Sequence, residues 1–231
     1  MSDIHRNLSE LNLEVINCRR CSRLVEWRER IVRTKKRAYF EWDYWGKPVP
    51  GLGDINGKIL ILGLAPGAHG SNRTGRMFTG DASGDFLYPA LYDAGFTSQP
   101  EALSVNDGLK LKNIYISAVC RCAPPDNKPT REEMANCRPF LDREFTLMRN
   151  MVGVVALGKI AFDSALDLIK KQNGINPTNM PKFGHGKLYF SNDWVRPWLL
   201  TSYHPSRQNT QTGRLTKKMF KEIWETARKL L

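Results

Sequence analysis

The spacing of apolar and polar positions changes character at residue 58. Before it, residues 7–16 (NLSELNLEVI) set Leu8, Leu11, Leu13, Val15 and Ile16 at spacings that predict a short amphipathic helix. A densely basic stretch follows at 28–37 (RERIVRTKKR), then an aromatic one at 39–45 (YFEWDYW). Residues 46–53 (GKPVPGLG) read as an extended connector. From 58 onward strands and helices alternate. Residues 58–63 (KILILG) form a short continuous apolar run, the mark of a strand buried on both faces. Residues 83–94 predict a helix, with Pro89 a complication. Strands are expected at 113–120 and 152–157, and helices from 130 to about 150 and from 158 to 170. Thr130 and Glu133 have the spacing of a capping box. Residues 187–190 and 197–200 read as further strands. A C-terminal helix over 214–231 carries Leu215, Met219, Ile223 and Leu230 on or near one face.

This alternation implies an α/β fold: a three-layer α/β/α sandwich with a central, mainly parallel, four-stranded sheet. One domain over 1–231 is expected, with an N-terminal arm of about 1–57. Ligands of such sheets bind at the C-terminal strand ends. That rule selects the loops 63–80, 122–129, 158–159 and 202–213.

Composition narrows the class. The 231 residues are 41% apolar and 25% charged, which excludes a mostly disordered or fibrous chain. The longest apolar runs, 59–64 and 151–157, fall well short of the ~20 residues that span a bilayer. Met1–Arg6 (MSDIHR) leads into no apolar segment, so no secretory signal and no membrane partner are expected. The expectation is a cytoplasmic protein. A net charge of +12 favours polyanionic partners, nucleic acid first.

Cys18 and Cys21 form a CxxC pair that can reach one metal, and Cys122 and Cys137 add two more thiols. Four thiolates suit zinc or an iron–sulfur cluster, and ligand count does not separate them. Cys120 is then spare. Two other readings stand beside this one. Cys120 and Cys122 can be small buried apolar residues, and Cys18–Cys21 can be a redox dithiol favoured by Arg19 and Arg20. In the first loop, Phe78 is placed oddly for a core residue and suits a stacking platform. Asp81 stands at the mouth of the expected site, where its bland role is to cap the next helix. The last loop begins Ser202-Tyr203-His204-Pro205, which sets His204 directly after a strand.

The segments GLAPGAHGSNRTGRMFTGD, CRCAPPDNKPT…CRPFL and HPSRQNTQTGRL together resemble the family 5 (type B) uracil-DNA glycosylases, over most of the chain from Cys18 onward. Family 4 enzymes share the frame but typically carry Glu where this chain has Leu64. Ala65 occupies the region of the wider superfamily's water-activating Asp, and the TGD triplet with Asp81 is the type B hallmark. Gly67 stands where that motif carries Ala. The resemblance implies that Cys18, Cys21, Cys122 and Cys137 bind a structural [4Fe–4S] cluster, which clips the arm to the body. It implies that Phe78 stacks on a flipped base in a pocket lined by Gly63, Leu64 and Ala65. His204 then hydrogen-bonds the uracil O2, Asn209 enters the duplex near the lesion, and Asp81 positions the attacking water.

The implied partner is DNA containing uracil or another deaminated base, such as hypoxanthine, and a monomer is expected. Breadth is expected because residues 116–122 offer no Asn or Gln to read the base edge. Two alternatives remain: a narrower family 4-like uracil glycosylase, and a non-catalytic iron–sulfur protein that binds nucleic acid on the same fold.

Overall fold

A computed structural model describes residues 3–174, 181–191 and 194–231; the first two residues of the Met1–Arg6 segment lie outside them. Two helices open the chain, α1 (Asp3–Ile16) and α2 (Ser22–Thr34). The basic stretch is largely helical, which its pattern did not reveal. Leu24, Val25 and Ile31 make a buried stripe on α2, and Arg28 lies within it. A charged residue on the inner face hides the period of 3.6 that an amphipathic helix shows.

Among the described residues the sheet has six strands: β1 (Leu52–Gly53), β2 (Ile59–Gly63), β3 (Ile114–Ala118), β4 (Gly153–Leu157), β5 (Leu188–Ser191) and β6 (Trp194–Ser202). Their order is β1-β3-β2-β4-β6-β5. The four central strands are parallel throughout. β1 and β5 pair antiparallel at the two edges, so the expected count of four describes only the parallel centre. β1 is two residues inside a Pro/Gly connector, too short to carry a period of two. Its pairing with β3 creates it.

Helices cover both faces of the sheet. On one, α4 (Ala82–Asp93) and α8 (Lys217–Lys229) pack Leu87, Tyr88, Leu91, Phe220, Ile223 and Trp224 against Ile59, Ile61, Ile114, Ile116 and Val155. On the other, α5 (Arg131–Leu147) and α6 (Lys159–Asn173) bring Leu141, Phe145, Phe162 and Ile169 onto Leu60, Leu62, Tyr115, Val154 and Leu199. Alternate residues of each strand serve the two cores, which is why the strands read as unbroken apolar runs. Each fully buried Leu or Ile contributes roughly 1.5–3 kcal/mol. The Thr130–Glu133 capping box opens α5, and Asp81 caps α4. The helix expected over 214–231 is the shorter α8. It is preceded by α7 (Arg207–Gln211) within the last loop, and α3 (Ser71–Thr74) lies within the first. Because the central strands run parallel, all four selected loops emerge at one end of the sheet.

One buried ionic network ties this sheet to α5. Glu144 is fully buried and accepts hydrogen bonds from Tyr115 Oη at 2.9 Å, from Ser117 Oγ at 2.6 Å and from the Arg121 guanidinium. A buried pair is strongly destabilising to break, because the survivor is left uncompensated. Glu144→Ala is expected to lower unfolding free energy by about 3–5 kcal/mol. Urea denaturation measures this. A loss below about 1 kcal/mol, the scale of a surface pair, would contradict it.

Candidate active site

The loop from Gly63 to Asp81 is held in an unusual shape. Phe78 adopts φ +51°, a left-handed conformation that a bulky residue rarely takes. Strain of this kind persists only where the surroundings over-determine it, and it clusters at functional sites. Tyr88 Oη donates to Met77 O at 2.8 Å. Gly84 lets the backbone close in, since a Cβ there would fall 1.8 Å from Phe78 O. The aromatic ring rests on the end of β2, where a Cβ on Gly63 would lie 2.8 Å from Phe78 Cζ.

Two arginines with no role legible in the sequence staple this loop. Arg76 donates from Nε to Thr79 Oγ1 at 2.9 Å and clasps Asp107 through both terminal nitrogens, at 2.7 and 2.5 Å. Burial pushes Asp107 up, but Arg76 and three backbone N–H groups overcome it and hold the carboxyl far below its usual range. Arg73 spans the loop, donating to His69 O at 2.7 Å and to Gly80 O at 2.8 Å. Its guanidinium lies 3.9 Å from the ring centroid of Tyr39 and 4.1 Å from that of Trp42. The aromatic stretch of the arm is therefore strapped onto the loop. Tyr44 Oη adds a 3.1 Å hydrogen bond to His69 Nδ1.

Asp81 uses its two oxygens differently. Oδ1 accepts from the N–H groups of Ser83 at 3.0 Å and Gly84 at 3.1 Å, which is the helix-capping role. Oδ2 faces Gly67 and Gly70, where an added Cβ would lie 2.8 and 1.9 Å from it. Burial raises the Asp81 pKa, and the two N–H groups pull against that rise. Gly67, the departure from the type B pattern, thus lets the carboxylate approach the turn more closely than a side chain there would allow.

His204 follows β6 and faces Phe78, with ring centroids 6.0 Å apart and planes 30° from parallel. Burial lowers its pKa to about 4, so the ring is neutral at pH 7 and donates from one nitrogen. Asn209 Nδ2 donates to His204 O at 2.8 Å, which places Asn209 as a brace under the histidine backbone. His185, whose role was likewise not legible in the sequence, supports the same turn by accepting from Tyr203 N–H at 3.2 Å. Leu64 and Ala65 are half-buried at the β2 exit, where Leu64 O accepts from Cys120 N–H at 2.9 Å. Gly63 abuts the Phe78 ring, which stacks with His204, and Asp81 follows Phe78 by three residues on the same loop and faces Gly67 and Gly70. In β3, Ser117 Oγ is committed to Glu144, so that strand offers no free amide or hydroxyl from this position.

The second constellation is the cysteine cavity. Cys18, Cys21, Cys122 and Cys137 line one space together with Arg20, Arg121 and Asn136. Cys18 and Cys21 lie in the turn between α1 and α2, Cys122 follows β3, and Cys137 sits on α5. Spacing alone could not show that these meet. None of the five cysteines is in a disulfide, and Cys120 and Cys137 are buried together in the core on that face of the sheet. No group of three or more His, Cys, Asp or Glu among the described residues has the arrangement of a single-ion site. Arg28 Nη1 donates to Cys122 Sγ at 3.0 Å. Arg28 Nε and Arg121 Nε and Nη1 are buried without a hydrogen-bond partner among the described residues. Burial pushes the Cys122 thiol up to about 12, with Arg28 acting against it. Buried unmet donors and buried thiols fit a site whose occupant supplies positive metal beside the sulfurs and further acceptors for the arginines.

Comparison with known proteins matches residues 50–228 to the uracil DNA glycosylase superfamily. The chain is 48% identical to the type-5 uracil-DNA glycosylase of Mycobacterium tuberculosis, over 97% of this chain and 82% of that protein. It is 50% identical to the type-5 uracil-DNA glycosylase of Thermus thermophilus, over 92% and 93% respectively. Identity to the type-4 uracil-DNA glycosylase of Archaeoglobus fulgidus is 27%, over 87% of this chain and 82% of that protein. The chain belongs to the uracil DNA glycosylase superfamily and, within it, to the type-5 group.

The neutral His204 gives a pH signature. The unfolded chain binds a proton that the folded ring refuses, so this residue makes stability fall as pH drops from about 6.5 to 4. An NMR titration is expected to place the His204 midpoint near 4, and His204→Gln to soften the stability loss in that window. A midpoint at 6.5 would refute this.

Proposed function

We propose that this chain is a DNA-repair hydrolase that cleaves the N-glycosidic bond of uracil in DNA by base flipping and leaves an abasic site. The observation that carries the reading is the stacking of His204, after β6, on Phe78 of the stapled loop that also bears Asp81, in a chain of the type-5 group. Breaking the C1′–N1 bond develops positive charge on the sugar and negative charge on the departing base. A catalyst must bind both charges more tightly than it binds the substrate. Asp81 supplies the fixed negative charge. With Oδ1 tied to two N–H groups, Oδ2 is left to orient the attacking water and to favour the oxocarbenium-like carbon. His204 donates to the O2 of the leaving base while remaining a neutral imidazole. Phe78 takes the flipped base on its face, worth about 1–3 kcal/mol against an unstacking cost of similar size.

Cys18, Cys21, Cys122 and Cys137 hold a [4Fe–4S] cluster that clips the N-terminal arm to the body in one domain. The unmet Arg28 and Arg121 donors support this reading. The cluster's contribution is structural when bound, since the bond cleavage is assigned to side chains of the loops. The lack of a free edge reader from β3 supports tolerance of other deaminated bases, hypoxanthine among them. Identity near half to type-5 relatives, against roughly a quarter to a type-4 one, favours this over a narrower family 4-like enzyme. The protein acts as a monomer in the cytoplasm on chromosomal DNA; no described helix is long and apolar enough to cross a membrane.

The test is excision from duplex DNA holding one uracil opposite guanine, in EDTA, followed by alkali cleavage. His204→Ala is expected to slow single-turnover excision by about 10²–10³-fold, the range for loss of one oxyanion donor. Asp81→Ala should lose most turnover while duplex affinity is kept. Folded protein without product would favour the binding-only alternative, and strict uracil selectivity would refute breadth. Anaerobically purified protein is expected to be brown, with about four iron and four sulfide per chain. Cys122→Ser should lose both colour and iron, and colourless, iron-free wild-type protein would end the cluster reading.

A further inference from the structure

Residues 19–47 carry ten Lys and Arg against four Asp and Glu, a net +6 that is half of the chain's +12. Part of this charge lines an open cleft. Its walls are α2, the end of α1 and the strap at residues 45–47, and its lining includes Arg19, Arg28, Arg33, Lys47, Trp45 and Glu29. Glu29, the one carboxylate there, is consumed by Arg19 at 2.5 Å. Arg33 and Lys47 form no ion pair among the described residues, and Lys47 Nζ sits 5.5 Å from the Trp45 ring centroid. Arg28 lies in the wall shared with the cysteine cavity, where it donates to Cys122 Sγ at 3.0 Å and to Cys18 O at 3.3 Å, which leaves Arg33 and Lys47 as the cleft's uncommitted cations. Glu29 faces Arg19, Arg28 and Arg33 together, so the cleft keeps a net positive charge that an anion would offset.

The cleft is also anchored to the site. Trp45 N–H donates to Arg73 O at 2.9 Å and Gly46 N–H to Asn72 O at 3.0 Å, so one wall is hydrogen-bonded to the Asp81 loop. A Cβ at Gly75 would lie 2.9 Å from the Trp45 ring. Val49 N–H donates to Arg121 O at 2.8 Å, just past the C-terminal end of β3. The strap that forms this wall is therefore fastened to the loop bearing Asp81 and to the segment that follows β3.

Resting on the DNA-glycosylase reading above, we propose that this cleft takes the phosphodiester backbone of duplex DNA flanking the nucleotide held at the site, which makes the N-terminal arm part of the DNA interface. Forked guanidiniums and a lysine suit phosphate oxygens. Free inorganic phosphate shares that chemistry, so the experiment separates the two.

Lesion-free duplex is titrated by fluorescence anisotropy over a KCl series with wild type, Arg33→Glu, Lys47→Glu and the double variant, each checked by circular dichroism. Lys112→Glu, at the opposite end of the sheet, is the control. The double variant is expected to bind about a hundredfold more weakly at low salt. Its slope of log affinity against log salt should shrink by about two, one for each phosphate no longer neutralised. Arg33→Gln with Lys47→Gln should give a smaller loss in the same direction. An unchanged slope, or an equal loss in Lys112→Glu, would overturn the proposal. So would thermal stabilisation by inorganic phosphate that the double variant loses while duplex affinity stays unmoved, since that outcome assigns the cleft to a free anion.

Discussion

A carboxylate taken most of the way out of water is unfavourable, and the loop from Gly63 to Asp81 is organised around that fact. Asp81 is tolerated because one oxygen receives two backbone N–H groups at the start of α4 and the other faces backbone at two glycines. Any side chain at Gly70 would occupy the place of Oδ2. The arrangement therefore needs a loop that is both tight and free of side chains on its inner turn. Met77 and Phe78 anchor the far end of this loop in the core, while the inner turn offers Asp81 only glycine and backbone at Gly67 and Gly70. Arg73 and Arg76 meet that need from within by spanning it and clasping Asp107. The strained Phe78 backbone is a consequence, since the turn that aims Asp81 also aims the aromatic ring at His204.

The same constraint explains the N-terminal arm. Arg73 is capped from outside by Tyr39 and Trp42, and the strap that carries them is hydrogen-bonded to the loop at Asn72 and Arg73. The arm is held in turn by the packing of Leu11 and Val15 of α1 with Phe140 of α5 and by the turn bearing Cys18 and Cys21. Deep under this junction, Arg121 joins the cysteine cavity to the Glu144 network and so to β3. A cluster bound by the four cysteines would act on the chemistry at a distance, through the rigidity of the strap.

His204 illustrates a second use of burial. A histidine in water would be partly charged near neutrality. With its pKa lowered by burial, the ring stays neutral and presents a donor without adding a positive charge to the site. Burial thus moves the pKa values of Asp81 up and His204 down. In each case it disfavours the charged form, and only Asp81 receives compensating hydrogen bonds.

Much of this was legible in the amino-acid sequence. The parallel strands announced themselves as apolar runs, because each is covered on both faces. The capping box of α5, the loops at the strand ends and the prominence of Asp81, Phe78 and His204 followed from local chemistry and motif. What was not legible depends on groups distant in the chain meeting in space. The edge strand β1 exists only because β3 pairs with it, and α2 hides its period behind the inward-facing Arg28. The roles of Arg73, Arg76 and His185 lie in partners such as Gly80, Asp107 and Tyr203, and Asn209 turns out to face a backbone carbonyl. Local pattern records what a segment can do on its own. Burial, pairing and pKa are properties of the surroundings, and these come into being only when the chain closes on itself.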